Sequence, residues 1–248
     1  MTEPLDLLAI GAHPDDVEMT SGGWLALAHE QGHRTGVLHL TRGEMGTHGT
    51  PEQREIEARA AADLLGCSAI EFAGLPDGHL RDDDDSIATV ARHLRQLRPR
   101  VVIAPYFVCH HPDHEAAARI AVRAVHLASL RGYDDGLPRH TTQRLVHARY
   151  SQQFEPSFYV DVSSVVEKKR QSILAYRSQV TDSVDPNDEI PVTRLARPGF
   201  TDQVLARNAA DGLKAACDYA EAYWMRTGFI LKDPIRTLGE GPAQHLVR

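Results

Sequence analysis

Two short runs hold most of the side chains able to bind a metal or move a proton: AHPDDVE (12–18) and CHHPDHE (109–115). His13 and Asp16 of the first run and His114 of the second make a set of two imidazoles and one carboxylate. Zinc favours such donors, and three protein ligands leave a fourth position open, as catalytic zinc sites do. An ion held this way would polarise a carbonyl and bring the pKa of water toward neutrality. Asp15 adjoins Asp16, and neighbouring side chains on an irregular turn diverge, so one can bind metal while the other serves as general base. His111, three residues before His114, suits an imidazolium that steadies an oxyanion. A lone histidine at a strand end is ordinarily structural. The pairing of His with Asp in two separate runs carries the metal reading. Cys109 reads as a buried thiol rather than a fourth ligand.

The elements around these runs explain how they could meet. LDLLAIGA (5–12), TGVLHLT (35–41), SAIEFAGL (68–75) and RVVIAPY (100–106) are short apolar runs of strand length. They alternate with helical patterns over 22–33, 51–66, 86–99 and 113–130. Strands apolar on both sides and alternating with helices predict a parallel sheet covered on both faces. The fold class is therefore α/β, a Rossmann-like open and mainly parallel sheet with a C-terminal β/α elaboration. In such sheets ligands sit at the carboxyl ends of the strands, which places both runs at one edge. GAHPDD offers no GxGxxG turn for a pyrophosphate, so the first strand opens onto a metal rather than a dinucleotide.

Beyond residue 130, strands are expected at 144–150 and 157–163, joined by a short turn. Helices are expected at 164–179 and 202–225, with a polar loop over about 180–200. The 248 residues read as one domain, with 1–130 carrying the βα units and 131–248 the elaboration. RDDDDS (81–86) reads as a solvated loop ending in a helix N-cap.

Composition narrows the function classes. The net charge is −7, with 42% hydrophobic and 25% charged residues. No basic cluster offers itself to nucleic acid. No run approaches the roughly 20 apolar residues of a membrane span, and the N-terminus lacks the pattern of a signal peptide. Three widely spaced cysteines do not make a disulfide framework. A cytoplasmic protein with reduced thiols is expected.

AHPDD and HPDH, with TRGEMGT between them, resemble the PIG-L/LmbE-like superfamily of zinc-dependent N-acetylglucosamine deacetylases. TRGEMGTHGTPEQREIEA, LPDGHL, APYFVCHHPDHEAA, FEPSFYVDVS and KKRQSILAYRSQ are similar to its bacillithiol-biosynthesis subgroup. The resemblance covers about residues 5–235. It implies one zinc per chain held by His13, Asp16 and His114, Asp15 as general base and His111 as transition-state histidine. It also implies a sugar contact for Arg54 and a sugar-hydroxyl contact for Asp77. The implied substrate is N-acetylglucosaminyl-malate, hydrolysed to glucosaminyl-malate and acetate, and the implied assembly is a homo-oligomer such as a hexamer. Malate's two carboxylates need cations, for which Arg42, Arg54 and Arg177 are candidates. The related mycothiol branch has a tyrosine where this chain has Cys109; Tyr106 or a water is left to fill that place. An amidase of thiol S-conjugates, a deacetylase of another N-acetylglucosamine derivative, and a non-catalytic zinc or sugar-binding module are the competing readings.

Overall fold

The computed structural model describes residues 3–180, 193–228 and 230–239. Five parallel strands form the bulk of one sheet: β1 (Leu7–Gly11), β2 (Thr35–His39), β3 (Ala69–Phe72), β4 (Val101–Pro105) and β5 (Arg144–Ala148). Two later strands, β6 (Phe158–Asp161) and β7 (Ala220–Trp224), extend it to the order β3-β2-β1-β4-β5-β7-β6. β1 pairs in parallel with both β2 and β4. The chain steps outward from β1 to β3 and then returns to β4, so the strand order reverses between β1 and β4. A crevice opens at such a reversal, beyond the strands' carboxyl ends.

All five residues of β1 are buried, and alternate residues feed opposite faces. Leu8 and Ile10 join Leu38, Val90, Leu94, Ile120 and Ala124 in one core cluster. That cluster packs α3 (Asp84–Leu97) and α4 (Pro112–Ser129) onto one face. Leu7 and Ala9 join Val17, Leu25, Val37, Leu65 and Tyr223 on the other face. There the chain lays α1 (Asp16–Glu30), α2 (Pro51–Leu64) and α5 (Val166–Leu174). The continuous apolar runs of the sequence are thus two-faced strands, as a helix-covered parallel sheet requires.

Several elements depart from the sequence reading. α1 begins at Asp16, six residues before the expected 22, directly after a left-handed turn at Asp15. The strands at 144–150 and 157–163 are not neighbours: β7 pairs antiparallel with both β5 and β6 and lies between them. The single helix expected over 202–225 is α6 (Phe200–Ala215) followed by β7, with Ala216 at φ 58° ending the helix. The helix expected over 164–179 is a 3₁₀ turn at Ser163–Val165 and then α5. Most of the loop expected over 180–200 lies outside the described residues. A short helix, α7 (Pro234–Gly239), follows β7. Among the described residues no helix is long and apolar enough to cross a membrane.

The C-terminal elements clamp α1, which carries the first chemical run. Glu221 of β7 accepts from the backbone N–H groups of Gly23 (2.8 Å) and Trp24 (2.9 Å) and pairs with buried Lys169 of α5 at 2.6 Å. Arg207 of α6 donates to the carbonyls of Met19 and Tyr150. The start of α1 is thereby held from below by β1 and from the side by the last third of the chain.

Candidate active site

Asp15 and Asp16 point apart because the backbone turns between them. Asp15 sits at φ 99°, a left-handed conformation that costs a non-glycine residue about 1–3 kcal/mol. The guanidinium of Arg54, on the first turn of α2, holds it there. Arg54 Nη2 donates to the Pro14 carbonyl at 2.6 Å and to Asp15 Oδ2 at 3.0 Å, while Nη1 donates to the Gly43 carbonyl at 3.1 Å. Thr50 caps α2 and Pro51 starts it, fixing the turn from which Arg54 projects. Burial pushes the Asp15 carboxyl up to about 7, against the pull of Arg54.

Asp16 lies between two imidazoles. Its Oδ2 is 3.4 Å from His13 Nδ1 and its Oδ1 is 3.1 Å from His114 Nε2. The His13 backbone N–H also donates to Oδ2 at 2.8 Å. Burial alone would raise the Asp16 carboxyl, yet His114 and His13 hold it well below the usual range. The same attraction overcomes burial at His114, whose imidazole rises to about 9 beside Asp16.

The outward nitrogen of each imidazole also has a partner. His13 Nε2 is 3.0 Å from Asp77 Oδ1 and 3.3 Å from Asp113 Oδ2. Backbone N–H groups fix both carboxylates: Met45 donates to Asp77, and Gly78 and Leu80 donate to Asp113. His114 Nδ1 is 3.1 Å from Cys109 Sγ.

His111 caps α4, and its Nδ1 accepts from the Asp113 N–H at 3.3 Å. Its ring stacks on His114 at 4.8 Å and meets His13 edge-on at 4.7 Å. Burial and the neighbouring His13 and His114 push its pKa below the ordinary value. With Nδ1 accepting from the Asp113 N–H, the nitrogen left to carry a proton toward the cavity is Nε2. Protonation at Nδ1 would break the cap.

Among the described residues, two groups bring donor atoms within 4.8 Å of one another: His13, His111 and His114, and His13, Asp77 and Asp113. In the second group both carboxylates contact His13 Nε2 directly, the arrangement of outer partners that orient a ligand histidine. Asp16, touching both His13 and His114, supplies an anionic donor beside the first group. Neutral imidazoles with a carboxylate between them fit a divalent ion at the β1 and β4 loops.

The cavity above these residues is about 760 Å³. Arg54 and Asp77 line it, though Arg54 is only 4% exposed and already committed to Asp15. Arg42 pairs instead with Glu52 and Glu55, outside the lining. Arg177 is exposed and also outside it. Tyr106 packs among Phe107, Phe154 and Trp224, whereas Tyr150 lines the cavity with its ring 4.7 Å from His114. Sequence reasoning gave no role to Asp113, although HPDH contains it, nor to the far wall of Met19, Phe200, Gln203 and Val204. Phe200, Gln203 and Val204 had no local signal, because α6 reaches the site only through the fold.

Fold and site together define a class: an α/β protein whose strand reversal holds a metal-donor cluster beside a separate buried carboxylate. The family model described as PIG-L, GlcNAc-PI de-N-acetylase, matches residues 8–125, from β1 into α4. The diacetylchitobiose deacetylase of Thermococcus kodakarensis is 29% identical over 72% of this chain and 71% of its own length. The 4-oxalmesaconate hydratase of Pseudomonas putida is also 29% identical, over 69% and 73%. The crystal structure of the conserved protein TT1542 from Thermus thermophilus superposes with a TM-score of 0.83 at 39% identity, covering 92% of this chain and 98% of that one. This chain belongs to the PIG-L family.

Proposed function

We propose that this chain is a metal-dependent deacetylase of N-acetylglucosamine conjugates, acting on N-acetylglucosaminyl-malate with one zinc per chain. The observation that carries the reading is Asp15. A metal-binding module has no use for a second carboxylate, buried and held in a strained turn by Arg54, beside a donor set that is complete without it. His13, Asp16 and His114 would hold the ion, which supplies Lewis acidity toward the amide carbonyl and toward water. Asp15 takes the proton of the attacking water and returns it to the amine as the amide C–N bond breaks. A carboxyl pushed toward neutrality suits both transfers. The Nε2–H of His111 donates to the oxygen that gains charge in the tetrahedral intermediate. Asp77 and Asp113 keep the His13 ring in place.

A cavity of about 760 Å³ falls in the upper half of the range typical of ligand pockets, which suits a sugar conjugate. Arg194 lines it with an exposed side chain and is the cation offered to a carboxylate of the aglycone. A charge-assisted contact of about 1.5–3 kcal/mol gives roughly ten- to hundredfold preference for an anionic conjugate. The test measures acetate release from N-acetylglucosaminyl-malate and from free N-acetylglucosamine, with bound zinc quantified. The expected outcome is a kcat/KM ratio in that range favouring the conjugate. Equal efficiency would end the malate reading and leave deacetylation standing. No acetate from either substrate, with hydration of 4-oxalmesaconate instead, would end the deacetylase reading.

A further inference from the structure

Cys109 lies in the loop between β4 and α4 and lacks the surroundings of a filler thiol. Cys67 packs against the apolar cluster of Leu7, Val37 and Leu65, whereas Cys109 joins no apolar cluster. Three polar groups hold it instead. The Cys109 backbone N–H donates to Glu115 Oε1 at 3.1 Å, the Ser151 hydroxyl donates to Sγ at 3.1 Å, and Sγ stands 3.1 Å from His114 Nδ1. The cysteine thus joins the chain after β5 to the first turn of α4.

We propose that Cys109 is a positioning residue whose sulfur holds the His114 ring so that Nε2 is the nitrogen offered to the metal. The inference rests on the metal reading above. An imidazole that binds a metal through one nitrogen carries its proton on the other, and the acceptor of that proton sets tautomer and ring orientation. For His13 the acceptors are the Asp77 and Asp113 carboxylates. For His114 the acceptor is Cys109 Sγ, with Ser151 donating to the sulfur from its other side. The two ligand histidines therefore have unlike outer partners, a carboxylate pair and a sulfur. Rotating the His114 ring would break the sulfur contact and the Nε2 contact to Asp16 together.

The experiment compares wild type, Cys109→Ala and Cys109→Ser. Zinc affinity is measured by competition with a chromophoric chelator, the visible spectrum is recorded after cobalt(II) loading, and the zinc-free proteins are melted. The expected result is a 10- to 100-fold weaker zinc affinity in Cys109→Ala, the usual effect of removing an outer partner. Its cobalt spectrum should change, while the zinc-free melting temperature stays at the wild-type value. Serine, whose hydroxyl can accept the same bond, should recover most of the affinity. Wild-type zinc affinity in Cys109→Ala, or a serine variant as weak as alanine, would overturn the proposal. So would a zinc-free alanine variant that melts well below wild type, which would make the cysteine a packing residue. Failure of the wild type itself to bind zinc would overturn the metal reading, and this inference with it, before any variant is compared.

Discussion

Arg54 is the largest of the influences that keep the Asp15 carboxyl from being protonated near neutral pH. Burial drives its carboxyl up to about 7, and the guanidinium 3.0 Å away is the strongest opposing influence. Removing Arg54 takes away the largest influence opposing burial and leaves only His13 and His114 against it, so the carboxyl titrates at higher pH. A base works only when ionised. Arg54→Ala should therefore lower kcat at pH 7 by about tenfold or more, raise KM less, and move the acid limb of the kcat profile to higher pH. A raised KM with unchanged kcat and an unmoved limb would sink this account and leave Arg54 as the sugar contact implied by the family resemblance. Breaking a buried pair also costs stability, typically about 3–5 kcal/mol, so Arg54→Lys is the companion variant. Asp15→Asn should lose about 100-fold or more in turnover and keep its metal. At this scale the sequence was informative where residue type is itself chemistry, as in the two runs that carry His13, Asp16, Asp15 and His114. It was silent on which partner each group finds. Arg54 lies 39 positions from Asp15, and nothing local says that its guanidinium is consumed there.

The strands were legible because a two-faced sheet leaves a continuous apolar run, whereas the elements flanking the site were not. α1 hides its first turn in the polar stretch DDVEMTSGG, where helical apolar spacing is absent. Its structure comes from the left-handed turn at Asp15 and from tertiary bonds to Arg207 and Glu221. β7 hides because AEAYW continues the pattern of α6, and the break depends on the left-handed Ala216 and on open sheet positions beside β5 and β6. Close approach of α1 to these late strands needs Gly23. A Cβ there would lie 2.7 Å from Val162 Cγ1 and 2.8 Å from Glu221 Oε1, inside ordinary contact. Gly23→Ala should cost about 1–3 kcal/mol through overpacking. For a chain of this size that is a drop of roughly 2–4 °C in melting temperature per kcal/mol. Gly132, with nothing within 4 Å of its Cβ position, is the control. If the two alanine variants melted alike, α1 would not be tightly joined to β6 and β7.

Across the whole molecule, the site joins segments that the backbone keeps about a hundred residues apart, and the sheet brings them together at its strand reversal. That convergence could be read from the sequence, because parallel strands connected by helices share one carboxyl edge. The closing wall of α6 could not, since it depends on how the last third of the chain folds back over α1. A metal at this junction should act on the stability of the entire fold, because the donor set spans the β1 and β4 loops and does not form in the unfolded chain. Without an ion, Asp15, Asp16, Asp77 and Asp113 crowd one buried volume and depend on His13, His114 and Arg54 for compensation. At a free zinc concentration about a thousand times the dissociation constant, binding to the folded state alone adds about 4 kcal/mol. That corresponds to a rise of roughly 8–16 °C in melting temperature. Protein stripped with a chelator should show this rise on adding zinc, and His114→Ala should show almost none. A stripped wild-type protein whose melting temperature ignores zinc would place the ion outside this junction, and the His13, Asp16 and His114 assignment would fall with it.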